Sequence, residues 1–217
     1  MSNYPVVLTN LECGAVVIGG GEVAARKVEG LLTAGAGVTV ISPQFAPVLE
    51  ELAAQGRITA LRRAYRVGDL AGARLVIAAT DDPQVNRTVW EEAQGRGCLV
   101  NVVDDPTHCT FHVPAVARRG PVAIAVSTGG ASPALAKHLR QKVEAAIGPE
   151  YAQLAALLAG LRPAGQALAP AGKREAFWRT MIERTLPLLR QGQADEAEQE
   201  AIAMLQRMES EEEDLRT

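Results

Sequence analysis

The chain has 217 residues, 47% of them apolar and 22% charged, with a net charge of −3. A chain of this length can bury about 70% of its unfolded surface, so its core needs no disulfide or metal staple. The mild charge gives no reason to expect nucleic acid or a membrane surface as a partner, and no apolar run reaches the roughly 20 residues of a membrane span.

In chain order, the first informative stretch is VVIGGGEVAARK, Val16 to Lys27. A β-branched run stops at three glycines, and Gly19, Gly21 and Ala24 fit the spacing G-x-G-x-x-A. Val23, Ala24, Val28, Leu31 and Leu32 then recur at helical spacing, with Gly35 as a stop. Strand, tight turn and helix are the context a dinucleotide fingerprint requires. The first glycine permits the turn, the second admits a pyrophosphate, and the small third residue lets the helix pack on the strand. The free amides and positive dipole end of the helix start then face the phosphates. The alternative is an ordinary glycine-rich turn that binds nothing.

Further strands are predicted at Val38–Ile41, Ile58–Arg62, Leu75–Ala79 and Leu99–Val103, and helices at Glu22–Ala34, Pro47–Gln55 and Pro83–Arg96. The strands at Leu75 and Leu99 are nearly all apolar, as strands buried on both faces of a parallel sheet are. The fold class is therefore α/β, a Rossmann-like doubly wound parallel sheet. The second strand ends in Ile41-Ser42-Pro43-Gln44, where an acid usually meets the adenosine ribose. The Ser42 hydroxyl or the Gln44 amide would have to replace it. No arginine stands at 42–45 to receive a 2′-phosphate, which favours NAD, although Arg62 and Arg63 leave NADP open. Thr80 and Asp81 end the fourth strand at the sheet's carboxyl edge, where ligands bind in such folds, and Asp82 reads as a helix cap. Asp104 ends the fifth strand, placed either to take a proton during hydride transfer or merely to form a turn before Asp105-Pro106. Asp104, Asp105, His108, Cys109 and His112 are donor types suited to zinc, but their spacing matches no standard site, so no metal is expected.

After Asp104, Pro106, Pro114 and Pro121 punctuate the chain. Pro121–Ser127 reads as a strand, Thr128-Gly129-Gly130 as a turn, and Ser132-Pro133 as the capped start of a helix. From Glu150 the pattern is helical, with Leu161–Gly172 read as a connection and Ala194–Leu215 as an acidic amphipathic segment. Three domains are expected, at 1–113, 114–149 and 150–217. Arg118, Arg119, Lys137 and Arg140 form a basic group that could meet a polycarboxylate or simply face solvent. Cys13, Cys98 and Cys109 form no C-x-x-C pair, and no export signal opens the chain. A reducing cytoplasm is the expected compartment.

Four blocks together carry a resemblance: VVIGGGEVAARK at 16–27, AATDDPQVN at 78–86, NVVDDP at 101–106 and VSTGGASPALAKHLRQKVE at 126–144. They occur in the order found in precorrin-2 dehydrogenase, the N-terminal module of siroheme synthase, and the chain resembles that family over roughly its first 150 residues. The resemblance implies NAD-dependent oxidation of precorrin-2 to sirohydrochlorin. In some members ferrous iron insertion, a ferrochelatase step, accompanies it. It places the cofactor at Gly19, Gly21, Glu22, Val23, Pro43 and Gln44, and the catalytic aspartate at Asp104. A serine modified in some relatives falls on Thr128, which joins Arg118, Arg119, Lys137 and Arg140 as expected substrate-binding residues. It also implies a homodimer joined through about Phe111–Gly148. No methyltransferase module follows, so a stand-alone dehydrogenase is expected. Two rivals stay open: a chelatase without dehydrogenase activity, and a non-enzymatic sensor of the NAD/NADH ratio.

Overall fold

A computed structural model describes residues 3–12, 14–168 and 174–214, and within it the chain divides into two compact units, Met1–Val113 and Pro114–Thr217. Cys13, residues 169–173 of the expected connection, and Leu215 lie outside the described residues.

The first unit is a five-stranded parallel sheet in the order β3-β2-β1-β4-β5. Its strands are β1 (Ala15–Ile18), β2 (Val38–Ile41), β3 (Thr59–Leu61), β4 (Leu75–Ala78) and β5 (Leu99–Val102). Helices α1 (Glu22–Thr33) and α2 (Pro47–Ala54) lie against one face, and α3 (Pro83–Arg96) against the other. This is the doubly wound fold that the apolar β4 and β5 predict. β-branched side chains fill both faces. Val17, Val28, Val40 and Leu49 are fully buried on the α1 side, as are Val76, Val89 and Val100 on the α3 side. Each such side chain contributes about 1.5–3 kcal/mol through burial.

β5 is a sheet edge, and an open edge is a pairing hazard. The returning chain covers it. Val100 donates its N–H to Thr110 Oγ1 at 2.8 Å, Thr110 N–H returns to the Val100 carbonyl at 2.8 Å, and Asn101 Nδ2 donates to the Phe111 carbonyl at 3.0 Å.

In the second unit, β6 (Ala115–Arg119) and β7 (Val122–Val126) form an antiparallel hairpin against which α4 (Pro133–Ala146) packs. β6 has no counterpart among the predicted strands. Its AVARR sequence does not alternate cleanly, and its extended state comes from pairing with β7, which buries Ala117 completely. α5 (Glu150–Leu168), α6 (Arg174–Arg190) and α7 (Ala194–Asp214) pack around Met181, Ala201, Met204 and Leu205, and around Leu154, Leu189 and Ala197. α5 runs through part of the stretch read as a connection. Pro163 is exposed, and so is Ala159, whose carbonyl loses its donor, so water can take that place. Gly165 is buried, and a Cβ there would lie 2.6 Å from Trp178 Cζ2, so its lack of a side chain lets α5 approach α6. Among the described residues, no helix is long and apolar enough to cross a membrane.

The loop between β3 and β4 is tied to α3 by Glu92, whose side chain is only 6% exposed. Burial pushes this carboxyl up, but bonds from the Tyr65 hydroxyl, the Gly68 N–H at 2.9 Å and Arg96 Nε at 2.6 Å outweigh it and hold Glu92 below the ordinary range. Its contribution is thus in place at neutral pH and is lost as pH falls through that depressed value. A hydrogen bond to a charged group contributes about 1.5–3 kcal/mol, so Tyr65→Phe is expected to cost about 1.5 kcal/mol. A lower urea midpoint at unchanged slope would show this, and an unmoved midpoint would refute it.

Candidate active site

The carboxyl ends of β1, β2 and β4 open onto a crevice of about 720 Å³, at the point where the strand order reverses. The β1–α1 turn forms its floor. Gly19 adopts φ +117°, and a Cβ there would fall on the Ala79 carbonyl. Gly20 passes so close to the β2–α2 loop that a Cβ would strike the Gln44 carbonyl and lie 2.8 Å from Ser42 Oγ. Its own carbonyl accepts from Ala46 N–H at 2.7 Å. Gly21 differs: at φ −81° its backbone is ordinary, and a Cβ would meet nothing within 4 Å. It is the N-cap of α1, yet no side chain caps that helix. The first amides of α1, Glu22 and Val23 among them, therefore have no acceptor inside the helix and border the crevice. A cradle that side chains would fill, with free amides and a positive dipole end beside it, fits a dinucleotide pyrophosphate.

Ser42, Pro43 and Gln44 line the same crevice. Ser42 is buried, and its Oγ accepts from Gln44 N–H at 3.4 Å, so the two ribose-side groups expected as alternatives are joined to each other. Phe45 forms part of the wall. Across the crevice, Thr80 and Asp81 close the turn after β4. The Thr80 hydroxyl donates to Asn86 Oδ1 at 2.8 Å, and Asn86 Nδ2 returns to the Thr80 carbonyl at 2.9 Å. Asp82 caps α3, accepting from Gln84 N–H at 2.8 Å and Val85 N–H at 3.3 Å. Asp81 is exposed and borders both this crevice and a second cavity of about 430 Å³.

That second cavity contains Asp104. Its φ of +59° is left-handed, a region Asp enters more readily than most residues and at some cost in strain. Cys109 braces the turn: its thiol donates to the carbonyls of Val102 and Asp105, at 3.3 and 3.2 Å, and accepts from Val102 N–H at 3.3 Å. Burial pushes this thiol up, so it stays protonated and acts as a brace. Lys27, on α1, is half-buried. Burial and then the neighbouring Arg26 push its ammonium down, while the charge of Asp104 pulls it partly back. His108 borders the cavity as well, with Nδ1 2.6 Å from Asp105 Oδ2 and its ring 4.6 Å from that of Trp90. Thr107 first, then His108, hold Asp105 below the ordinary carboxylate range. Among the described residues, no three His, Cys, Asp or Glu side chains converge as metal ligands.

The glycine turn, Ser42, Pro43, Gln44, Thr80, Asp81 and Asp104 line two adjoining cavities. Motif spacing does not single out Asn86 or Lys27, although both lie inside the quoted motifs. Lys27 stands at the end of the glycine fingerprint, where a half-buried cation is an unusual choice.

In the second unit, Arg119 donates from Nε to the Ile147 carbonyl at 2.9 Å and from Nη2 to the Glu144 carbonyl at 2.8 Å, closing the end of α4. Arg140 pairs with Glu144 one turn along the same helix. The Thr128 hydroxyl bonds both backbone groups of Ser132, at 3.1 and 3.2 Å, and Ser132 caps α4 through Leu135 N–H at 3.1 Å. Arg118 and Lys137 are exposed.

Comparison with known proteins agrees with this geometry. A family model described as putative NAD(P)-binding matches residues 7–115. One described as sirohaem biosynthesis protein central matches 119–146, and one described as sirohaem synthase dimerisation region matches 150–205. The chain is 45% identical to a siroheme synthase of Methylobacillus flagellatus over 84% of its length and 39% of that protein's. It is 44% identical to one of Methylococcus capsulatus, over 91% and 42%. It thus spans about two fifths of the length of these relatives. A solved structure of SirC, a precorrin-2 dehydrogenase, superposes with a TM-score of 0.75 at 26% identity, covering 96% of this chain and all of the other. With its parallel sheet, open glycine turn and following helical unit, the chain belongs to the siroheme synthase family, in the N-terminal part that family shares with precorrin-2 dehydrogenase.

Proposed function

We propose that this chain oxidises precorrin-2 to sirohydrochlorin with NAD as hydride acceptor, a step in siroheme formation. One observation carries the reading. The glycine crevice shares Thr80 and Asp81 with the cavity that holds Asp104, so a nucleotide site and a strained acid adjoin. The likeness to a precorrin-2 dehydrogenase over that protein's full length supports the choice of substrate.

When bound, the nicotinamide supplies the hydride acceptor, and the protein supplies binding, orientation and proton handling. The Gly19–Gly21 turn and the first amides of α1 hold the pyrophosphate. Ser42 presents its hydroxyl on the ribose side. Asp104 takes the proton that leaves the tetrapyrrole as hydride departs from it. Lys27, half-buried on α1, supplies positive charge beside Asp104. His108, held at Nδ1 by Asp105, borders the same cavity. We assign the substrate's carboxylates to the exposed Arg118 and Lys137. Arg119, Arg140 and Thr128 shape the element that carries them.

We further infer a homodimer. No residue of α4 is buried within the protomer, and Leu135 and Leu139, four apart on one face, are 47% and 40% exposed. The β6–β7 hairpin has only two strands and leaves an edge on each. The family's dimerisation region falls on 150–205, downstream of the Phe111–Gly148 segment assigned from sequence, so the helices after α4 are included in the proposed contact.

An anaerobic assay of precorrin-2 with and without NAD, read before any metal is added, tests the reading. Sirohydrochlorin absorbance is expected only with NAD. No change before metal, with metal insertion once sirohydrochlorin and ferrous iron are supplied, would make the chain a chelatase, and tight nucleotide binding without turnover would make it a sensor. Asp104→Asn keeps the shape and tolerates the left-handed backbone. It is expected to retain NAD binding and lose about 10²–10⁴ in turnover. Unchanged steady-state rates would remove Asp104 from the mechanism. Gly21→Asp separates folding from binding. An aspartate at this open N-cap would stabilise α1 by a few tenths of a kcal/mol while occupying the phosphate amides. The melting temperature should hold or rise while calorimetric NAD binding disappears; normal NAD affinity would defeat the phosphate assignment.

A further inference from the structure

Two consecutive arginines, Arg62 and Arg63, follow β3 on the adenosine side of the site, where a 2′-phosphate would distinguish NADP from NAD. β2 and β3 run in parallel register, Ile41 beside Leu61, and Ser42 N–H donates to the Leu61 carbonyl at 3.2 Å. Arg62 therefore follows β3 at the level where Ser42 follows β2, at the edge where such folds place the ribose. Its guanidinium lies 5.4 Å from the centre of the Phe45 ring, and Phe45 lines the crevice. It is not an unclaimed cation. Nη2 of Arg62 donates to Glu50 Oε2, on α2, at 2.5 Å. Arg63 is claimed too, by a two-pronged pair with Asp69 at 2.6 and 2.8 Å, and Asp69 also accepts from Arg66 N–H at 2.8 Å.

The two pairs differ in kind. Asp69 is 12% exposed and organises its own loop, so the Arg63 pair is structural. The Arg62–Glu50 pair is 54% and 47% exposed, a setting in which ion pairs add little to stability. What such a pair does set is local charge. A free Arg62 at this edge would attract a 2′-phosphate. Paired with Glu50 it is neutralised, and the carboxylate repels a second anion.

We propose that Glu50, acting through Arg62, determines nucleotide choice, turning a site that has a cation for NADP into one that takes NAD. The inference rests on the dinucleotide reading above and assigns Glu50 a specificity role, with no part in the chemistry.

The test is titration of NAD+ and NADP+ into the full chain by calorimetry, for wild type, Glu50→Gln and the double variant Glu50→Gln/Arg62→Ala. Wild type should prefer NAD+. Removing the Glu50 charge should move the ratio of affinities toward NADP+ roughly tenfold at low salt, and less as salt screens the charge. The gain should vanish in the double variant. Intact NAD+ affinity with an unmoved ratio, or a gain that survives loss of Arg62, would overturn this inference alone. Failure of the wild type to bind either nucleotide would overturn the dinucleotide reading and this inference with it.

Discussion

Three backbones meet at the β1–α1 turn, and the rest of the site depends on how closely they approach. Gly19 lies against the carbonyl of Ala79, and Gly20 against that of Gln44. The Gly20 carbonyl is held by Ala46 N–H at 2.7 Å. The turn is thereby clamped between the loops after β4 and β2, and no side chain could occupy that space. Only at Gly21 does the chain open, and there α1 begins without a side-chain cap. Most helices meet their first amides with a Ser, Thr, Asp or Asn, and α3 and α4 of this chain do so through Asp82 and Ser132. α1 forgoes that stabilisation at a helix start that borders the crevice, as does α2, whose N-cap is Ala46.

The Asp104 turn is built on a different principle. There the backbone is strained, and side chains hold it. Cys109 bonds three backbone groups, Thr110 pairs with β5, and Asn101 reaches Phe111. Val103 and Phe111 on either side pack against the core. The same contacts that shield the edge of the sheet thus fix the acid in its left-handed conformation. A turn formed merely by Asp-Asp-Pro propensity would need none of this bracing, which weighs against reading Asp104 as turn chemistry alone.

The sheet was legible because its signal is local. Runs such as AVVI, VTVI and LVIA are strands by composition, and glycine or proline marks their ends. Asp82 and Ser132 were legible as caps for the same reason. What sequence did not disclose depends on partners distant in the chain. β6 exists because β7 pairs with it, and α5 continues through Pro163 because its neighbourhood is exposed and Gly165 must meet Trp178. Arg119 and Arg140 read as substrate cations by charge, yet both are engaged along α4. Spacing reports which residues share a face and is silent on which charges are already paired.

That distinction matters most for the cations of the first unit. Lys27, Arg62 and Arg63 all belong to segments near the crevice, and a charge count would treat them alike. The structure separates them by partner. Arg63 is locked by a carboxylate that also orders its loop, Arg62 by one on an exposed helix, and Lys27 is half-buried within the field of Asp104. Charge is thus neutralised where a ribose would sit and, among the described residues, left without a close ion pair at Lys27 beside the strained acid. A pocket that merely tolerated a nucleotide would need no such asymmetry. The proposed proton transfer at one end and phosphate discrimination at the other each call for their own sign of charge at their own edge of the sheet.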